Sequence, residues 1–193
     1  MLSRLREGED WPHVDAIAIT HMHIDHYGDL AAWLWGHLHV PPAGTRAPKL
    51  WLPPGGRDDL YHLASRFDEV FELAEYADAT PFETAGFIIS PMRVAHYTQP
   101  TWGFRIEAGG KVAAFSSDTG PTPALAELAA GADVFVCEAT LDREEDGPRG
   151  HLTAAEAKAA AAGAKRLLLV HRPAELPTPE GLELAYDGLE LQL

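Results

Sequence analysis

Cysteine is almost absent from this chain. Cys137 stands alone among 193 residues, which excludes an internal disulfide framework and fits a reducing, cytoplasmic setting. Long hydrophobic runs are missing too: no apolar stretch approaches the roughly 18 residues that a membrane-spanning helix needs. The opening residues, Met1-Leu2-Ser3-Arg4-Leu5-Arg6-Glu7, are charged and hold no apolar signal segment. Basic residues are scarce, 15 Lys and Arg against 29 Asp and Glu, for a formal net charge of −14. That balance disfavours long nucleic acids, whose binding rests on Lys and Arg meeting phosphates. It leaves room for a small phosphorylated substrate held through metal, and for plain solubility. No internal repeat is present. The length fits one domain over residues 1–193, able to bury roughly 70% of its unfolded surface.

Histidine and aspartate, by contrast, are concentrated. Thr20-His21-Met22-His23-Ile24-Asp25-His26 places four metal-binding side chains, His21, His23, Asp25 and His26, within six residues. Imidazole and carboxylate are ligands of zinc and related divalent ions. The cluster follows an apolar run, Val14 to Ile19, that reads as a buried strand. Alternation along that strand sends His21 and His23 to one side and Ile24 away. Asp25 and His26 then fall in the turn that opens a helix over Asp29 to about Leu38. Four ligands so close together, of both parities, crowd a single ion that also needs an open position. Two adjacent ions are therefore expected.

Further along, Pro41 to Thr45 and Pro53 to Gly56 read as loops around a short strand, Lys49 to Leu52. A helix is expected over Arg57 to Phe67, and a solvated amphipathic segment over Asp68 to Asp78. Phe87 to Ala95 reads as a strand leading to His96. Phe104 to Glu107 and Val112 to Phe115 flank Gly109-Gly110 as a hairpin. Pro123 to Ala130 reads as a helix and Asp133 to Glu138 as a strand. Thr153 to Glu156 is a capping box opening an Ala-rich helix that stops near Gly163. Arg166 to Val170 is a near-continuous apolar strand, and a last strand is expected over Leu189 to Leu193. Strands alternating with helices argue for a layered α/β architecture.

Three more candidate ligands stand where strands end: His96, Asp118 and His171. With the first cluster they make seven, enough for two ions. In this order and spacing the residues resemble those of the metallo-β-lactamase-fold hydrolases: Thr20 to His26, then His96, then Ser117-Asp118-Thr119-Gly120, then His171. The resemblance implies a four-layer αβ/βα sandwich. It also implies a ligand set in which His21, His23 and His96 bind one ion and Asp25, His26 and His171 the other, with Asp118 bridging. Zinc is the expected metal, with manganese the alternative.

Cys137-Glu138-Ala139-Thr140 and Gly150-His151-Leu152-Thr153 look like motifs of the tRNA 3′-processing endonucleases and related phosphodiesterases. That likeness puts Glu138 and His151 in proton-transfer roles, so that Asp25, Glu138 and His151 are the candidate catalytic residues. The branch usually carries His where this chain has Cys137, which is expected to pack as a small buried residue. No protruding basic arm for gripping tRNA is present, which moves the expected substrate toward a small phosphodiester such as a cyclic nucleotide. The family normally has several strands before its first motif, and only about twenty residues precede His21 here. The chain is expected to lack those N-terminal strands, as a fragment, through a misassigned start, or with a neighbouring subunit, in a homodimer, covering the exposed sheet.

The implied reaction is hydrolysis by hydroxide generated between two ions. The rivals are hydrolysis at carbon, of a lactone, thioester or β-lactam, and a non-catalytic metal-binding module. Ser116 and Ser117 are not expected to act as nucleophiles. His13, His37, His39 and His62 are assigned no catalytic role, and Trp102 is assigned to packing ahead of lining the pocket mouth.

Overall fold

A computed structural model describes residues 2–5, 11–40 and 45–193. The expected loop at 41–45 falls, except for Thr45, outside the described residues, as does most of the charged opening segment. Contacts divide the chain into two compact units, Met1–Ala77 and Asp78–Leu193.

The first unit holds a short helix α1 (Leu2–Leu5), strand β1 (Ala16–Ala18), helices α2 (Ile24–Tyr27) and α3 (Asp29–His37), strand β2 (Lys49–Leu52), helix α4 (Gly56–Leu63) and strand β3 (Glu72–Glu75). Its sheet has order β1-β2-β3, all parallel. Parallel neighbours need a crossover, and α3 and α4 supply the two crossovers. Leu30, Trp33 and Leu34 lie at helical spacing on α3 and are fully buried, packed with Leu60 of α4 and with Ile17, Leu50 and Leu52 of the sheet.

Two expectations change here. The helix expected to Phe67 ends at Leu63; Ala64 is extended and Arg66 left-handed, and a separate 3-10 turn begins at Phe67. The break lets Phe67, Val70 and Phe71 enter the core, where each is at most 3% exposed. The segment expected to be a solvated amphipathic stretch contains β3, hydrogen-bonded to β2. Its alternation of acidic and apolar residues is a strand's period of two.

The second unit is built on a seven-stranded sheet of order β10-β9-β8-β7-β6-β5-β4. The strands are β4 (Phe82–Thr84), β5 (Phe87–His96), β6 (Gln99–Ala108), β7 (Lys111–Phe115), β8 (Val134–Glu138), β9 (Leu167–Val170) and β10 (Glu183–Leu184). β4 through β7 pair antiparallel; β7 through β10 pair parallel. Gly109 and Gly110 turn between β6 and β7 with φ of +56° and +75°, the two left-handed positions of a tight hairpin. Helices α5 (Ala124–Ala129) and α6 (Ala154–Ala160) make the crossovers from β7 to β8 and from β8 to β9. Leu125, Leu128 and Ala157 of these helices pack on Phe135, Cys137 and Leu169 of the sheet.

β4 has no counterpart among the expected elements. The strand expected at Leu189 to Leu193 is irregular, and Glu183–Leu184 pairs with β9 instead. Leu182 and Leu184 pack on the core, whereas Leu193 is exposed, so burial selects the earlier segment.

The capping box is formed in full: Thr153 accepts from the Glu156 N–H, and Glu156 accepts from the Thr153 N–H. Arg149 donates to both Glu156 oxygens, at 2.6 and 3.1 Å. Burial alone would raise the Glu156 carboxyl, but Arg149 and the Thr153 N–H and hydroxyl outweigh it and hold it below the usual glutamate value. Thr153→Ala is expected to lower stability by about 1 kcal/mol in urea unfolding. A carboxyl with a lowered folded pKa stabilises above its unfolded pKa and stops doing so as pH falls through the folded value. Glu156→Gln should therefore be less stable than wild type at neutral pH, and the two melting curves should converge in acid below the ordinary glutamate range.

Candidate metal and proton-transfer site

Strand direction assembles the candidate residues of the second unit. β7, β8 and β9 run parallel and adjacent, so Asp118 just after β7, Glu138 at the end of β8 and His171 just after β9 come out at one sheet edge. β5 is two antiparallel steps from β7, so His96 at its end reaches the same edge. Carboxyl ends of parallel strands are where open α/β sheets build their sites. Two left-handed residues other than glycine turn the chain there, Ser117 at φ +58° and His171 at φ +53°. Such conformations persist only where surrounding contacts enforce them.

Glu138 is densely hydrogen-bonded. Its carboxylate is 1% exposed and accepts five hydrogen bonds, from Thr119 N (2.7 Å), Thr140 N (3.1 Å), Thr140 Oγ1 (2.8 Å), Leu152 N (3.2 Å) and His151 Nδ1 (2.8 Å). Ser116 Oγ accepts from the Glu138 N–H and donates to the Ser117 carbonyl, which ties this hydroxyl to the backbone. The hydrogen bond to Glu138 raises the His151 pKa above its ordinary value; partial burial opposes this, and the Glu138 and Asp118 charges add to it.

The other imidazoles are oriented through Nδ1. His96 Nδ1 lies 2.7 Å from the Gly150 carbonyl, which can only accept, so Nδ1 carries the proton and Nε2 the lone pair. His171 Nδ1 lies 2.7 Å from Thr140 Oγ1. That hydroxyl can accept from His171 while donating to the Glu138 carboxylate. His171 Nε2 stands 3.5 Å from Asp118 Oδ2. His96, Asp118 and His151 each offer a ligand atom within 4.8 Å of the others. An imidazole that donates its far N–H to a carbonyl and presents its other nitrogen to a carboxylate-lined space is arranged as metal-binding histidines are. The donor set fits a divalent ion of borderline softness such as zinc.

In the first unit, His21 follows β1 and is fully buried; its Nδ1 lies 3.1 Å from Thr20 Oγ1. The rings of His23 and His26 lie 4.9 and 4.1 Å from that of His21, and Asp25 Oδ2 is 3.5 Å from His26 Nε2. Asp25 and His26 sit in the helical turn α2, and Ile24 points to solvent. The four residues of the cluster are thus brought together, as the spacing implied.

Trp102 and Cys137 pack inside the protein, as expected. Trp102 is buried, with Nε1 on Asp78 and the Arg93 guanidinium over its ring. Cys137 is fully buried, and burial pushes its thiol up to about 12. Sequence reading missed Thr140 as a hub and the Gly150 carbonyl as the partner of His96. Thr140 was visible beside Glu138, but nothing in its spacing announced three partners.

The strongest comparison is a family model, the β-lactamase superfamily domain, matching residues 2–172. This chain belongs to that superfamily. Its metallo-β-lactamase fold is shared with a diphosphatase of the PhnP family, at TM-score 0.74 and 25% identity over 98% of this chain and 74% of that one. Among curated relatives, the uncharacterized protein ML1173 of Mycobacterium leprae is 34% identical over 170 residues, 81% of this chain and 59% of its own length. Ribonuclease Z of Mycobacterium marinum is 33% identical over 141 residues, 64% of this chain and 50% of that protein. This superfamily member thus spans about six-tenths or less of these curated relatives.

Glu138→Gln should destabilise the protein by about 3 kcal/mol in chemical denaturation, because an amide N–H₂ would face backbone donors in a buried site. In metal-stripped protein the His151 imidazole should titrate above its ordinary value by NMR. A raised folded pKa stabilises below the unfolded pKa, and that gain disappears as pH rises through the folded value. Glu138→Gln should bring the His151 titration back down.

Proposed function

We propose that this chain forms a dinuclear metal-dependent hydrolase of small phosphodiesters, such as a cyclic nucleotide. The observation that carries the reading is the Glu138–His151 pair, 2.8 Å apart, beside His96 and Asp118. A thioesterase could use the same ligands but expels a thiolate, which has less need of a proton donor than an alkoxide does; a lactone hydrolase also releases an alkoxide and is separated by the substrate test below. Relatives named ribonuclease Z and a diphosphatase support phosphoester chemistry.

The seven residues His21, His23, Asp25, His26, His96, Asp118 and His171 are proposed to hold two divalent ions, zinc first and manganese second. Such ions supply Lewis acidity, lowering the pKa of water and offsetting charge on phosphoryl oxygens. Asp118 would be the ligand shared by the two ions and would orient the water, and Asp25 would be a ligand and a candidate catalytic residue. Glu138 fixes the proton on His151 Nδ1 and favours the imidazolium, so His151 delivers the proton on Nε2 to the leaving oxygen. The net charge of −14 supports a small substrate over long nucleic acid. The single cysteine, fully buried, supports a cytoplasmic setting. Among the described residues no helix is long and apolar enough to cross a membrane.

Protein reconstituted with Zn²⁺ or Mn²⁺ is expected to bind two equivalents of metal and to hydrolyse bis(p-nitrophenyl) phosphate. His23→Ala should abolish turnover, and His151→Ala should lower kcat about a hundredfold or more. Wild-type activity should decline as pH rises through the elevated His151 pKa. Turnover of a lactone or thioester without turnover of the diester would refute the reading.

A further inference from the structure

One exposed aromatic ring beside this site has no part in the scheme above. Tyr97 follows His96 in the two-residue turn between β5 and β6, where His96 pairs with Gln99. Its φ is +46°. The first position of such a turn, when left-handed, ordinarily takes glycine. Yet Tyr97 is 58% exposed, so burial of its ring does not explain a bulky side chain there. Strained backbone in an exposed turn next to reactive groups is a mark of function.

The ring is held in a set place. A Cβ on Gly150 would stand 2.2 Å from Tyr97 Cε2, so the ring lies directly on the Gly150 backbone and any other residue there would displace it. Gly150 is also the residue whose carbonyl orients His96. The Tyr97 ring stands 5.3 Å from the His96 ring and 5.7 Å, edge to face, from that of His151. Beyond it opens a cleft of about 380 Å³ lined by Tyr97, Ala95, Pro121, Gly147, Pro148 and Arg149. Arg149 is tied to Glu156, so the cleft presents mainly an aromatic ring, two prolines and backbone. A planar ring system fits such walls; a charged or branched aliphatic group gains little from them.

We propose that Tyr97 is a specificity-determining residue that stacks on the nucleobase of a nucleotide ester whose phosphate lies at His96 and His151. The assignment rests on the phosphoester reading above and narrows its substrate to the nucleotide class. The hydroxyl is not required, whereas the ring is.

The test compares binding of AMP and ribose 5-phosphate to zinc-reconstituted protein by calorimetry, with bis(p-nitrophenyl) phosphate hydrolysis measured on the same samples. Wild type and Tyr97→Phe are expected to bind AMP about tenfold tighter than ribose 5-phosphate, the scale of one base–aromatic stack. Tyr97→Asn removes the ring while keeping a residue tolerant of left-handed φ, so folding is preserved. Its affinity for AMP should fall to that for ribose 5-phosphate. Equal binding of the two ligands by wild type, or an AMP preference that survives in Tyr97→Asn, overturns the assignment. A ring-dependent AMP preference in protein that hydrolyses no diester upholds the stacking residue and refutes the proposed reaction alone.

Discussion

The buried carboxylate of Glu138 is the constraint on which the sheet-edge site depends. A charge taken out of water must be paired or hydrogen-bonded throughout, and Glu138 meets that demand with donors from the loop after β7 and from both ends of the loop between β8 and α6. Thr119 follows β7, Thr140 follows β8, and His151 and Leu152 precede α6. Satisfying one side chain therefore ties both loops together. Asp118 sits one residue before Thr119, and His151 is itself a donor, so the functional groups are positioned by the same hydrogen bonds that make the burial tolerable.

Around that anchor, orientation passes outward through neutral groups. Thr140 joins Glu138 to His171, and the Gly150 carbonyl joins the loop before α6 to His96. The capping box and the Arg149–Glu156 pair hold the far side of that loop. Helix capping and site geometry are thus one network. The first unit follows the same logic on a smaller scale, with a fully buried imidazole following a strand and its neighbours on a single helical turn.

Cys137 shows how the sheet separates roles. Along β8 successive side chains face opposite ways, so Cys137 enters the apolar core while Glu138 faces the loops at the sheet edge. Burial leaves the thiol protonated and unreactive. With Cys137 turned into the core, Glu138 keeps five hydrogen bonds.

Much was legible from sequence where local pattern decides. The His21-to-His26 cluster, the Gly109-Gly110 hairpin, the capping box and the apolar strands before His96, Glu138 and His171 all follow from spacing, turn chemistry or periodicity over a few residues. The early end of α4, the strand β3, the strand β4 and the choice of Glu183–Leu184 over Leu189 to Leu193 did not, because each is settled by what a distant core buries. The same division holds at the site. Residue types and their order were enough to point to the superfamily, because the candidate residues recur together in that order. Which hydrogen bonds fix the tautomers of His96 and His171, and what sustains a buried Glu138, were decided only by tertiary structure. Apart from Thr140, two residues from Glu138, those partners lie 13 to 54 residues away in the chain, beyond the reach of any local pattern.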